Sequence, residues 1–140
     1  MGEARRAALD TNVLVRYLTE DDAAKAQAVE RLLNEARAGK VHLMVPPVIL
    51  AELVWVLESF YKLASRDVAD LVEAVLNTPG LHVEDGASVR SALASYRDGK
   101  VDFIDALLAE FARAREIEAI YTFDRRHFRD LPGIACRQPA

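Results

Sequence analysis

Apolar residues along this chain alternate between short unbroken runs and longer stretches that repeat every three to four positions, the two rhythms of strands and helices. Ala7-Ala8-Leu9 runs into Asp10, and Val13, Leu14, Tyr17 and Leu18 follow at helical spacing, which predicts a buried strand, a turn and a helix. Asp21-Asp22 opens a second helix through Ala23, Ala26, Val29, Leu32, Leu33 and Ala36, and Gly39 stops it. Val41 to Val45 is a second strand, and Pro47 is placed as the first residue of a third helix. From Val48 to Leu57 that helix is apolar on every side except at Glu52, so it is expected to be buried. Glu52 then needs a bound cation or an arginine partner, unless it reaches out from the helix start.

A fourth helix begins at Ser65 or Asp67, with Val68, Leu71, Val72, Val75 and Leu76 on one face, and Pro79-Gly80 breaks it before the short strand Leu81-His82-Val83. Gly86 to Arg97 is a fifth helix. Asp102 is the natural cap of a sixth, whose expected core face is Ile104, Leu107, Leu108 and Phe111. Ala119 to Phe123 is a strand ending in Asp124, and Pro132 to Cys136 is the last. Strands alternating with helices predict a three-layer α/β/α fold whose central sheet is mainly parallel and covered on both faces.

The 140 residues suit one domain, spanning 1–140. The net charge of −4 comes from 18 basic and 22 acidic residues, which excludes a protein that coats nucleic acid by bulk positive charge. Setting four acids aside for a metal site leaves 18 acids against 18 bases, 14 of them arginine, the cation better shaped for phosphate. The single cysteine, Cys136, cannot form an intramolecular bridge, and no Cys/His pair has zinc spacing. With no long apolar segment near the N-terminus, these features predict a cytoplasmic protein with no membrane span.

Two strand ends carry an acid, Asp10 and Asp124, and two helix starts carry another, Glu52 and Asp105. In a doubly wound sheet such positions meet at the carboxyl edge. Four carboxylates in one pocket persist only if some are protonated or cations neutralise them. Oxygen-only ligation suits Mg²⁺ or Mn²⁺, ions that activate water and stabilise a leaving oxygen in displacement at phosphorus. Singly, each acid has an ordinary role too. Asp10, Thr11 or Asn12 can cap the first helix, Asp102 reads as a cap rather than a ligand, Asp105 suits a first turn, and Asp124 suits a tight turn. His42, His82 and His127 are isolated in sequence and read as structural or surface groups.

Four stretches in order carry a resemblance: Leu9-Asp10-Thr11-Asn12-Val13-Leu14, Ile49-Leu50-Ala51-Glu52-Leu53, Asp102-Phe103-Ile104-Asp105-Ala106-Leu107 and Thr122-Phe123-Asp124-Arg125. The chain resembles the PIN domains, and among them the VapC-type toxins of bacterial toxin–antitoxin pairs, from Arg6 to Cys136. The resemblance implies a Mg²⁺-dependent endoribonuclease, with Mn²⁺ able to substitute, whose metal and catalytic acids are Asp10, Glu52, Asp105 and Asp124. Asp105, the acid before alanine, takes the metal role and Asp102 supports it, while Thr11, Asn12 and Thr122 match positions that hydrogen-bond around the site. A homodimer and a cognate antitoxin protein are also implied. Arg125, Arg126 and Arg129 follow Asp124 at the mouth of that site and either hold the RNA backbone or form a solvated basic turn. A phosphatase with an aspartyl nucleophile wants a second acid at position 12, where Asn12 stands. A non-catalytic PIN-like module that binds RNA or protein is the alternative, and it would be marked by a missing acid; none is missing.

Overall fold

The computed structural model describes residues 4–128, 131 and 133–140. Its elements run β1 (Arg5–Ala8), α1 (Thr11–Leu18), α2 (Ala23–Arg37), β2 (Val41–Val45), α3 (Pro47–Ser59), α4 (Ser65–Leu76), β3 (Leu81–Val83), α5 (Gly86–Tyr96), α6 (Phe103–Ala114), β4 (Ala119–Tyr121), a 3-10 turn (Arg125–Phe128) and β5 (Ala135–Arg137). A pair of helices separates each of the first three strands from the next, the crossover a parallel pairing needs, and every described strand pairing is parallel. β1 pairs with β2 from Arg5 opposite Val41 to Ala8 opposite Met44, and β2 pairs with β3. β4 pairs with β5 in a second, two-stranded sheet. The Leu9 N–H donates to the Met44 carbonyl at 3.1 Å, carrying the ladder one residue further and leaving Asp10 just past its end. The three-layer, mainly parallel α/β reading therefore holds. No described helix is long and apolar enough to cross a membrane.

β1 is not the buried strand that its apolar run predicts. All four residues from Arg5 to Ala8 are exposed, and burial begins at Leu9, because β1 lies at the edge of the three-stranded sheet. The core lies on β2 and the helices. Val41, Leu43 and Val45 alternate inward along the strand, as a period of two requires.

α3 begins at Pro47, as expected, but it is not buried all round. Leu50, Leu53, Val54 and Leu57, spaced three and four apart, enter the core, while Val48, Glu52 and Trp55 share an exposed face. Glu52 therefore stands in solvent and needs no buried counter-charge.

α6 also turns a different face from the one expected. Phe103, Ala106, Ala109 and Ala112 are buried, and Ile104, Leu108 and Phe111 are exposed. The alanines let α6 lie close against α5, whose Val89, Ala92, Leu93 and Tyr96 face it. Tyr96 meets the Phe103 ring edge-on at 5.9 Å and donates its hydroxyl to Glu58 Oε2 at 2.6 Å. The larger side chains of α6 are left to line an open pocket of about 310 Å³ with Pro47, Asp85 and Arg115. Gly80 makes the turn into β3 at φ +93°, and a Cβ there would lie 3.0 Å from that of Ala36.

Candidate active site

The four acids stand at strand ends and helix starts. Asp10 follows β1 and Asp124 follows β4, each at a strand's carboxyl end, while Glu52 and Asp105 lie near the starts of α3 and α6. The side chains then gather as two pairs.

The first pair is Asp10 and Glu52. Both line a pocket of about 290 Å³ with Thr11, Asn12, Arg16 and Phe60. Asp10 is the N-cap of α1, and its Oδ1 accepts from the Thr11 N–H at 2.7 Å. Neither carboxylate forms an ion pair among the described residues. Beside them, the Thr11 hydroxyl is buried with no hydrogen-bond partner, a costly arrangement that a bound group at this point would relieve. Asn12 is exposed on the same rim.

The second pair is Asp105 and Asp124, joined through a residue whose isolation in sequence concealed it. His127 reaches Asp105 Oδ2 with Nδ1 at 3.5 Å and Asp124 Oδ2 with Nε2 at 3.3 Å. The only signal was its spacing three residues after Asp124, which a helical turn converts to proximity. Arg126 grips Asp124 as well: Nε lies 3.0 Å from Oδ1, a terminal guanidinium nitrogen 3.0 Å from Oδ2, and the backbone N–H 3.1 Å from Oδ1. Arg126 is thus a carboxylate partner rather than a free cation at the mouth. Arg129 lies outside the described residues, as does the side chain of Arg125. Thr122 shapes the turn, accepting from the Asp124 N–H at 3.0 Å while its own N–H donates to the Arg137 carbonyl.

These contacts divide the two acids. The guanidinium and amide of Arg126 hold the Asp124 carboxyl down at about 2. Asp105 is pushed above the usual carboxylate range, first by its partial burial, then by the charges of Asp102 and Asp124, with His127 acting the other way. Asp102 occupies the N-cap position of α6 without a capping hydrogen bond, so it acts on the site as a nearby charge.

Among the described residues, no three His, Cys, Asp or Glu side chains sit close enough to hold one ion together. The donor chemistry nonetheless fits a hard divalent cation. Asp10, Glu52 and the orphaned Thr11 hydroxyl are all oxygen donors, and among the described residues the two carboxylates form no ion pair. Asp124 is already partnered by the Arg126 guanidinium, and His127 lies between it and Asp105.

The sequence matches the PIN domain family over residues 7–134. It is also 31% identical over 118 residues to a protein of Aquifex aeolicus (strain VF5) described as VapC ribonuclease, an alignment covering 84% of this chain and 87% of that relative.

Proposed function

The chain belongs to the PIN-domain family and is VapC-like within it, and from that premise we propose that it is a divalent-metal-dependent endoribonuclease, the toxin of a toxin–antitoxin pair. The observation that carries the chemistry is the pair Asp10 and Glu52, in no ion pair among the described residues, beside a buried Thr11 hydroxyl that has no hydrogen-bond partner there. Mg²⁺, or Mn²⁺ in its place, fits these oxygens, and Asp105 and Asp124 would complete the site around it. When bound, the ion supplies Lewis-acid activation of water and charge neutralisation at phosphorus. Asp10 and Glu52 would hold it, and the α1 amide on Asp10 fixes that carboxylate for the task. Asp105, whose proton affinity burial raises, is suited to hold or pass a proton, and His127 links it to Asp124. Asp124 stays ionised under the hold of Arg126.

An antitoxin that presents an arginine would fit the carboxylates in a bidentate way and exclude substrate. The exposed apolar face of α6 supports a homodimer. Cleavage of an end-labelled RNA by the purified protein tests the activity. It is expected in Mg²⁺ or Mn²⁺, absent in EDTA, and slower by more than about a hundredfold in Asp10→Asn, since even outer-shell groups of metal sites are worth about 10- to 100-fold. Cleavage that persists in EDTA at the same rate would refute the metal-dependent reading.

A further inference from the structure

We propose that Arg16 and Phe60 position single-stranded RNA at the Asp10–Glu52 pocket, Arg16 taking a backbone phosphate and Phe60 stacking an adjacent base; this rests on the nuclease reading above. Both residues line the pocket that holds the two acids. Arg16 forms no ion pair among the described residues, although two carboxylates share its pocket. It also lines the next pocket along α1 together with Asn12, so the guanidinium stands between the acids and a second recess. A guanidinium left unpaired beside carboxylates is placed to receive the phosphate that those carboxylates would otherwise repel.

Phe60 is the C-cap of α3 and is 73% exposed, so its ring contributes little to the core. It is not loose. Its ring meets Tyr61 at 4.9 Å with a 73° interplanar angle, and the Tyr61 hydroxyl donates to Asp21 Oδ2 at 2.6 Å. The ring is thereby held on one side and open to solvent beside the pocket. Such a surface is what an unstacked base needs, and stacking tolerates any base because each has a π face. A duplex keeps its bases inside and offers none to the ring. The pocket's 290 Å³ lies at the small end of ligand sites, about 300–1,000 Å³, which suits one nucleotide rather than a helix.

The test is fluorescence anisotropy of the full chain with a labelled single-stranded RNA in EDTA, across a salt series, so that binding is read without cleavage. Arg16→Gln should lower the slope of log affinity against log salt by about 0.7, the single-strand value for one contact, and Arg16→Lys should keep it. Phe60→Ala should weaken binding between about fivefold and about a hundredfold, and Phe60→Trp should retain it. An abasic strand should bind wild type and Phe60→Ala alike. The inference is overturned by an unchanged salt slope in Arg16→Gln, by equal loss on the abasic strand, or by duplex RNA binding as tightly as the single strand. It is equally overturned if Phe60→Ala changes only the sedimentation of the protein, which would give the ring to a protein interface. A wild type that cleaves RNA while neither variant alters binding defeats this inference alone. A wild type that shows these binding losses but cleaves in neither Mg²⁺ nor Mn²⁺ defeats the nuclease reading and leaves this one standing.

Discussion

Asp105 and Asp124 touch the same imidazole, yet their surroundings drive them in opposite directions. Burial lifts Asp105, so its contribution to stability is present below the unfolded value of about 3.9 and is lost as pH rises through its folded value. Arg126 depresses Asp124 to about 2, so its contribution is present above about 3.9 and is lost as pH falls toward about 2. In EDTA at pH 7, Asp105→Asn should therefore raise the melting temperature and Asp124→Asn should lower it. Both differences should fade below about pH 4. A lower melting temperature for Asp105→Asn at pH 7 would show that its charge is stabilising in the fold. Carboxylate identity and position were legible in the sequence because strand ends and helix starts are local features. The partners were not: His127 and Arg126 bind Asp124 through one short turn, and residue order alone does not show that turn.

α3 and α6 show what hydrophobic pattern does and does not decide at the scale of an element. The starts of both helices followed from Pro47 and Asp102. The faces did not, because each helix carries apolar residues all round, and tertiary packing selects among them. In α3 the core takes Leu50, Leu53, Val54 and Leu57 and leaves Trp55 65% exposed. In α6 it takes the alanines, since small side chains permit a closer approach to α5. Leu53→Ala should cost about 2–5 kcal/mol, the range for emptying a filled core position. Trp55→Ala should stay within about 0.5 kcal/mol, as surface substitutions usually do. Urea denaturation of the two variants checks this, and a large loss in Trp55→Ala would mean that its face is covered in solution.

Over the whole molecule, alternation of strands with helix pairs made the α/β class and the parallel direction legible, and the edge position of β1 was not, because strand neighbours depend on long-range contacts. Ile104, Leu108 and Phe111 form an apolar surface that an isolated chain leaves in water, with Arg115 lying 4.1 Å over the Phe111 ring. If that surface joins two copies in the proposed dimer, Leu108→Glu should sediment as a monomer with its melting temperature little changed, and a wild-type monomer at micromolar concentration would exclude the pairing. In the proposed nuclease the Asp10–Glu52 pair and the Asp105–Asp124 pair serve one metal site, although no three of their side chains converge among the described residues. Calorimetric titration of Mn²⁺ into wild type, Asp10→Asn and Asp105→Asn tests it most directly. Weakening of the same binding event by both substitutions is the predicted result, whereas full Mn²⁺ affinity in Asp105→Asn beside its loss in Asp10→Asn would contradict a shared site.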